Sequence, residues 1–365
     1  MAALMRKTRT LVQRGLRSSA LAPLNDVVAI DRLLQRMNRR WSLRDVRATL
    51  VAVTPEAGSA CSVWLKPNRL WNGHEAGQHI MLEVEIDGTR HHRAFSLSAA
   101  PRADGLLRLT LRVSARALVS RWLQDPARVG DVVTISQAQG TFVLPTPRPD
   151  KILMVAAGSG ISPLMAMLEQ LAAEHYRGDI QLLRIDRQAS DVLLDAELAI
   201  LQRALPGLHV RQHFTSAHGR LTAPQILEYA TAAASRRWFV CGPEGLMQLV
   251  RVVHAEVCDT PLLQEHFAAR ALRDEAELIG APRDVLVSDL GLHFQALPGQ
   301  SLLLAAEAAG LNPKSGCRAG ICRTCLCQKT RGRTRNLLTN QSSDAPDEWI
   351  QLCISTAESD LELTL

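Results

Sequence analysis

Between Trp41 and about Pro147 the chain alternates apolar and polar residues in short runs. Arg47-Ala-Thr-Leu-Val-Ala-Val53, His79-Ile-Met-Leu-Glu-Val-Glu-Ile86, Leu107-Arg-Leu-Thr-Leu-Arg-Val113 and Asp131-Val-Val-Thr-Ile135 are strand-sized and punctuated by Gly, Pro and Asp. A period of two predicts antiparallel strands closed into a barrel or sandwich. One helical stretch, Val119-Ser-Arg-Trp-Leu-Gln124, interrupts it. From Lys151 the pattern changes. The apolar run Lys151-Ile-Leu-Met-Val-Ala-Ala157 leads through glycines into a helix over Leu164–Ala172. A strand over Ile180–Ile185 precedes a helix containing Glu197–Arg203, and a third unit ends at Trp238-Phe-Val-Cys-Gly-Pro243. Strands alternating with helices predict a parallel α/β sheet. A polar linker over 271–282 separates this region from a third, 283–365, rich in short strands.

Composition narrows the class. The chain has 365 residues, 47% hydrophobic and 21% charged, which fits a multidomain soluble protein. No apolar run approaches the roughly 18 residues of a membrane-spanning helix. The formal net charge of +6 is unevenly spread: Arg6, Lys7, Arg9, Arg14 and Arg17 stand in residues 1–25 without an acid. Such a segment reads either as a transit peptide or as a basic amphipathic arm. Val27, Ile30, Leu33, Leu34 and Met37 recur downstream at helical spacing and favour the arm, which would give a cytoplasmic protein peripheral contact with an anionic membrane. Nucleic acid is not an expected partner.

Five of the eight cysteines crowd the last fifth of the chain, at 317, 322, 325, 327 and 353. Clustered thiols without a secretory signal point to metal or redox chemistry. Cys317-x4-Cys322-x2-Cys325 with a distant Cys353 has the spacing of plant-type [2Fe–2S] ferredoxins, in which two tetrahedral irons share two sulfides and take two thiolates each. Zinc sites pair C-x2-C knuckles or add histidines, and neither occurs here. Cys327 lies too close to Cys325 to complete the pattern and reads as a packed strand residue. Gly316 and Gly320 would let loop amides approach the sulfurs.

A second motif is Arg93-Ala-Phe-Ser-Leu-Ser98, preceded by Gly77-Gln-His79. Here the chain resembles the ferredoxin–NADP reductase superfamily, whose flavin domain carries an R-x-[Y/F]-S-x-[S/T] strand. The resemblance implies a cofactor site over Arg93, Phe95, Ser96, Leu97 and Ser98. Arg93 would hold the phosphate, Phe95 would pack on the isoalloxazine, and Ser96 would stand near the flavin N5, where hydride arrives. The family's glycine pair before the phosphate-binding helix is replaced by Ser114-Ala-Arg-Ala-Leu-Val-Ser120. Ser120 matches a family serine, and Arg116 offers a compensating cation.

Ala157-Gly-Ser-Gly-Ile-Ser-Pro163 sits between a strand and a helix, where glycines let a pyrophosphate approach a helix N-terminus. Its Gly158, Gly160 and Pro163 match the family's nicotinamide-binding turn. Cys241, Gly242 and Pro243 match its C-G-P motif, which implies a thiol near the nicotinamide C4. Glu265-His-Phe267 resembles the segment that closes this domain, where Phe267 would approach the flavin. Arg187 matches a family arginine near the adenosine ribose. With Arg184 it suits the 2′-phosphate of NADPH, whereas Asp186 between them suits NADH.

The resemblance implies a multidomain α/β and β protein. A basic extension (1–40) precedes an antiparallel flavin-binding β-barrel (41–148) and a parallel α/β NAD(P)-binding domain (149–270). The linker (271–282) then leads to a β-grasp ferredoxin domain (283–365). The expected cofactors are FAD, with FMN as the alternative, a [2Fe–2S] cluster, and NADPH or NADH. The chain would be an NAD(P)H:acceptor oxidoreductase that turns one hydride into single electrons. Trp41-Ser-Leu-Arg-Asp-Val-Arg47 and Ser315–Cys325 look closest to bacterial reductases serving membrane fatty-acid desaturases and related di-iron hydroxylases. A soluble ring-hydroxylating oxygenase is the alternative acceptor, and a flavin-deficient iron–sulfur carrier the alternative activity. Seven cations and no acid in 314–335 suggest a basic rim that would steer an acidic partner.

Overall fold

Six strands make the first sheet: β1 (Val46–Pro55), β2 (Ala60–Pro67), β3 (His79–Ile86), β4 (Thr89–Ser96), β5 (Leu107–Arg112) and β6 (Val132–Ile135). The computed structural model describes residues 27–86, 89–113, 118–265, 281–316, 320 and 323–365. The strand order is β4-β3-β6-β1-β2-β5, with antiparallel neighbours. A bridge between Leu97 and Leu109 joins the two outer strands and closes the barrel. Inward residues such as Leu50, Leu65, Ile80, Leu82 and Leu109 fill it. Helix α1 (Val27–Met37) precedes the barrel, and α2 (Leu118–Gln124) caps it with Val119 and Leu123 buried.

The second unit has strands β7 (Lys151–Ala157), β8 (Asp179–Asp186), β9 (Leu208–Phe214), β10 (Arg237–Cys241) and β11 (Leu263–Glu265). They run parallel in the order β11-β10-β7-β8-β9. Its longer helices are α3 (Ile161–Ala173), α4 (Asp195–Ala204), α5 (Ala223–Tyr229) and α6 (Glu244–Val257). Alternate residues of β7 supply both faces. Ile152, Met154 and Ala156 pack with Leu164, Leu168 and Leu198, whereas Leu153 and Val155 pack with Ile226, Met247 and Val250. Helix α3 is buried nearly all round because it is wedged between sheet and barrel. Its Met167 lies against Gly77, and its Glu169 accepts from Arg108 at 2.7 Å and from the Ala100 amide at 3.0 Å. The first strand in sequence stands mid-sheet beside the fourth, so the connections diverge between β7 and β10. Open parallel sheets bind ligands at the carboxyl ends of strands at such a point.

The third unit contains a five-stranded sheet, β13-β12-β19-β14-β17, in which β12 (Arg283–Val287) pairs parallel with the C-terminal β19 (Leu361–Thr364). Its other strands are β13 (Leu292–Ala296), β14 (Leu326–Arg331) and β17 (Glu348–Gln351). A small sheet of β15 (Thr334–Asn336), β16 (Ser342–Ser343) and β18 (Ser355–Ala357) flanks it. Helix α7 (Leu302–Ala308) packs across the sheet, started by Ser301 Oγ accepting from the Leu304 amide at 3.3 Å. Such a cap is worth about 1 kcal/mol.

Candidate active site and cluster loop

The carboxyl ends of β7, β10 and β11 bring the nicotinamide motifs together. In register, Ala156 faces Cys241 and Cys241 faces Glu265, so the Gly158–Gly160 turn, the thiol and the carboxylate form one row. Gly158 has a left-handed φ of +54°, which a side chain disfavours. Gly160 is needed for a different reason. Its φ is an ordinary −62°, but an added Cβ would fall 2.1 Å from the Cys241 carbonyl oxygen. The two strand ends therefore touch backbone to backbone. Pro163 is buried in the first turn of α3, and Pro243 caps α6 in an extended conformation.

A carboxylate joins this row to the barrel. Glu265 Oε2 accepts from Ser96 Oγ at 3.1 Å, and its Oε1 lies 3.0 Å from Nδ1 of His79; all three residues are buried. His79 and Ser96 are register partners on β3 and β4, so both reach Glu265 from one barrel edge. Burial, with the Glu265 charge adding, pushes the Cys241 thiol well above its ordinary range. It is a neutral, polarisable wall at neutral pH and not a nucleophile.

An open cleft between barrel and sheet is lined by Arg93, Phe95, Ser96, Thr110, Arg112, Ser120, Ser159 and Ser162, among others. Two cations, an aromatic ring and a line of hydroxyls suit a planar, anionic cofactor. Of the expected residues, Arg93, Phe95, Ser96 and Ser120 meet here. Leu97 and Ser98 do not line the cleft: Leu97 is barrel core, and Ser98 is fully buried with Oγ 2.8 Å from Thr110 Oγ1. Arg112, Ser159 and Ser162 are additions. Arg112 ends β5 and donates to the Asp191 carbonyl at 2.7 Å, while Ser162 Oγ donates to the Thr110 carbonyl at 3.2 Å. The polar face of β5 is thus the seam between units rather than a solvent face. Arg116 and Phe267 lie outside the described residues.

Arg184 does not stand at a coenzyme site. It is buried, with Nε 3.1 Å from Asp186 Oδ2, and it also donates to the Leu193 carbonyl. Gln212 holds the same Asp186 oxygen at 3.2 Å. Two of the three charges that bore on coenzyme choice are spent inside the sheet, whereas Arg187 is exposed.

In the third unit the Leu352 amide donates to the Cys325 carbonyl at 3.0 Å, which sets Cys325 beside the buried turn holding Cys353. Both thiols are buried. Gln351 Nε2 donates to the Gly320 carbonyl at 2.9 Å. Gly320 has a φ of +75°, and a Cβ there would meet Ile354 at 2.8 Å. Two buried cysteines on adjacent segments, with Gly320 tied to the same turn, fit a soft thiolate-bound cluster. Cys317 and Cys322, the expected partners, lie outside the described residues. Cys327 is a packed strand residue whose thiol burial pushes up to about 12. The basic run is partly neutralised by acids outside it. Lys329 is buried 3.0 Å from Glu348, while Arg333 and Arg335 share Glu358 at 3.0 and 3.3 Å. Lys314, Arg323 and Arg331 remain exposed.

Comparison with known proteins assigns each unit a family. Residues 66–144 match an oxidoreductase FAD-binding domain, 154–252 an oxidoreductase NAD-binding domain and 285–358 a 2Fe-2S iron-sulfur cluster binding domain. An NADPH oxidoreductase of Mycobacterium tuberculosis is 32% identical over 342 residues, covering 92% of this chain and 88% of that protein. The ferredoxin reductase component of a 3-ketosteroid-9-alpha-monooxygenase from the same species is 30% identical, covering 87% and 90%. Among solved structures, phthalate dioxygenase reductase superposes with a TM-score of 0.62 at 22% identity, over 88% of this chain and 98% of that one. The chain therefore belongs to the family of ferredoxin-reductase-type oxidoreductases with FAD, nicotinamide and [2Fe–2S] domains. It is an electron-transfer enzyme using a nicotinamide coenzyme, FAD and a [2Fe–2S] cluster.

Proposed function

We propose that this reductase draws on NADPH and serves a membrane fatty-acid desaturase or a related di-iron hydroxylase. The observation that carries the chemistry is the buried Ser96–Glu265–Cys241 assembly, built from both units where nicotinamide and flavin must meet. FAD held here would supply the chemistry that links a two-electron hydride donor to a one-electron cluster. Ser96 Oγ donates a hydrogen bond to Glu265, and Ser96 lines the cleft. The neutral Cys241 thiol, buried at the end of β10 in register with Glu265, would not attack the coenzyme. Arg93, Arg112 and Ser120, which line the cleft, would hold the anionic part of the cofactor, and Phe95 would pack on its ring. Cys317, Cys322, Cys325 and Cys353 supply the four thiolates.

The NADPH reading rests on exposed Arg187 and on the relative named as an NADPH oxidoreductase. The desaturase reading rests on the motifs at 41–47 and 315–325 and on the basic N-terminal arm, through which the chain would touch the membrane. No helix among the described residues is long and apolar enough to cross one. A second reading, a soluble oxygenase acceptor, is supported by relatives that are reductase subunits of stachydrine N-demethylase and glycine betaine monooxygenase. Reconstitution separates them. Membranes containing a fatty-acid desaturase should form double bonds with NADPH only when this protein is added; no dependence on it would remove the desaturase assignment.

A further inference from the structure

Thirteen residues at the N-terminal end of the described chain carry an unusual surface. Leu33, Met37, Trp41 and Leu43 are 59%, 75%, 48% and 55% exposed, and Arg32, Arg36, Arg39, Arg40 and Arg44 are exposed among them. Residues 32–44 contain no acid. Leu33 and Met37 are one turn apart on α1 and form a stripe, with Arg32 and Arg36 on the adjoining one. Ile30 and Leu34 are partly covered, whereas Leu33 and Met37 are turned out.

The loop after the helix is tied back to it. Asp31, buried at the hinge, accepts from Gln35 Nε2 at 2.6 Å, Ser42 Oγ at 2.9 Å and the Leu43 amide at 2.6 Å. The Trp41 amide donates to Asn38 at 2.9 Å, and Asn68 of the barrel donates to the Asp45 carbonyl at 3.1 Å. The helix and loop are therefore a fixed hook on the barrel, and the loop adds Trp41 and Leu43 to the apolar points of the helix. Arg32, Arg36 and Arg39 border a groove whose barrel wall holds Glu83 and Glu85, while Leu33 and Met37 do not line it.

We propose that this hook lies in the interface of an anionic phospholipid bilayer, an inference that rests on the membrane acceptor proposed above. Exposed leucine, methionine and tryptophan would enter the boundary between headgroups and acyl chains, and the arginines would remain at the phosphates. Charge points to lipid: five cations without an acid in 1–25 are followed, past Asp26 and the buried Asp31, by five more in 32–44, a density that a continuous anionic surface matches in any orientation. The hook would set the reductase against a membrane-embedded acceptor.

The test uses the full holoprotein and sedimentation with vesicles of phosphatidylcholine, with and without phosphatidylglycerol. The wild type should sediment with the anionic vesicles at low salt and stay in solution with neutral ones. L33E/M37E should weaken binding about tenfold or more, and R40E/R44E together with added salt should do the same. All variants should reduce ferricyanide with NADPH at the wild-type rate, so that failure of the reductase reading would be visible separately. Wild-type protein left in the supernatant, or L33E/M37E sedimenting like wild type, overturns the proposal. So does a change from dimer to monomer with vesicle binding unaltered, which would make a second copy the occupant.

Discussion

Glu265 Oε2 accepts a hydrogen bond from Ser96 Oγ at 3.1 Å across a separation of 169 residues. The bond crosses from the edge strand of the α/β unit to the outer strand of the barrel, and His79 holds the other carboxylate oxygen. One side chain therefore helps tie the two units together and sets the direction of the serine hydroxyl.

Removing that charge should slow hydride transfer without unfolding the protein. Hydrogen bonds to ionised groups contribute about 1.5–3 kcal/mol, so Glu265→Gln and Ser96→Ala should each lower kcat about tenfold to hundredfold. Stopped-flow bleaching of flavin absorbance by NADPH reads this directly. Unchanged rates in both variants would mean that the pair only joins the domains.

The two glycines of the turn should respond differently. Gly160→Ala drives a Cβ to 2.1 Å from one backbone atom of Cys241 and 2.6 Å from another, and neither can swing away. A cost of about 1–3 kcal/mol follows, with a lower Tm and a raised KM for the coenzyme. Gly158→Ala meets open space and has only its left-handed backbone to maintain, at about 1–2 kcal/mol and with KM less affected.

Coenzyme choice should follow Arg187 and not Arg184. Arg187→Ala is expected to raise the KM for NADPH about tenfold with little effect on NADH, by loss of one charged contact. Arg184→Met instead strands the buried Asp186 and should destabilise the domain by about 3–5 kcal/mol, leaving the NADPH/NADH ratio unaltered. Steady-state kinetics with both coenzymes and thermal melts separate these outcomes.

Alkaline stability should report Cys61. Burial, with Glu56 and Asp125 adding, pushes its thiol from 9.0 to about 11. Below about 9 both folded and unfolded chains keep the proton, and the contribution is fully present. Above that the unfolded chain ionises first, so stability falls until the folded thiol titrates near 11. The denaturation midpoint should therefore drop between pH 9 and 11, and less steeply in Cys61→Ala. Equal slopes in both proteins would contradict this.

Much of this architecture is legible in the residue pattern, and the exceptions have physical causes. The expected strand His79–Ile86 and the strand Lys151–Ala157 form with those bounds, because turn residues and a change of period mark their ends. The expected helix Leu164–Ala172 extends to Ile161, since the glycine turn feeds directly into it. Alternation in β5 identifies a polar face but does not distinguish solvent from a domain seam, so the positions of Arg108, Thr110 and Arg112 were not deducible. The cations at 329, 333 and 335 look free in sequence because their acids, Glu348 and Glu358, come from later strands. Glu265 was visible only as a neighbour of Phe267. Its signal, a carboxylate closing the last parallel strand opposite Cys241, exists only once the register is known.

The most direct test of the electron path is an anaerobic titration of the purified protein with NADPH alone, followed by visible absorption and electron paramagnetic resonance, with iron and sulfide assayed on the same sample. Flavin bleaching should be accompanied by a rhombic [2Fe–2S] signal, and Cys325→Ser or Cys353→Ser should abolish that signal while Cys327→Ser keeps it. Bleached flavin with no paramagnetic signal, or protein that holds zinc in place of iron, would contradict the account.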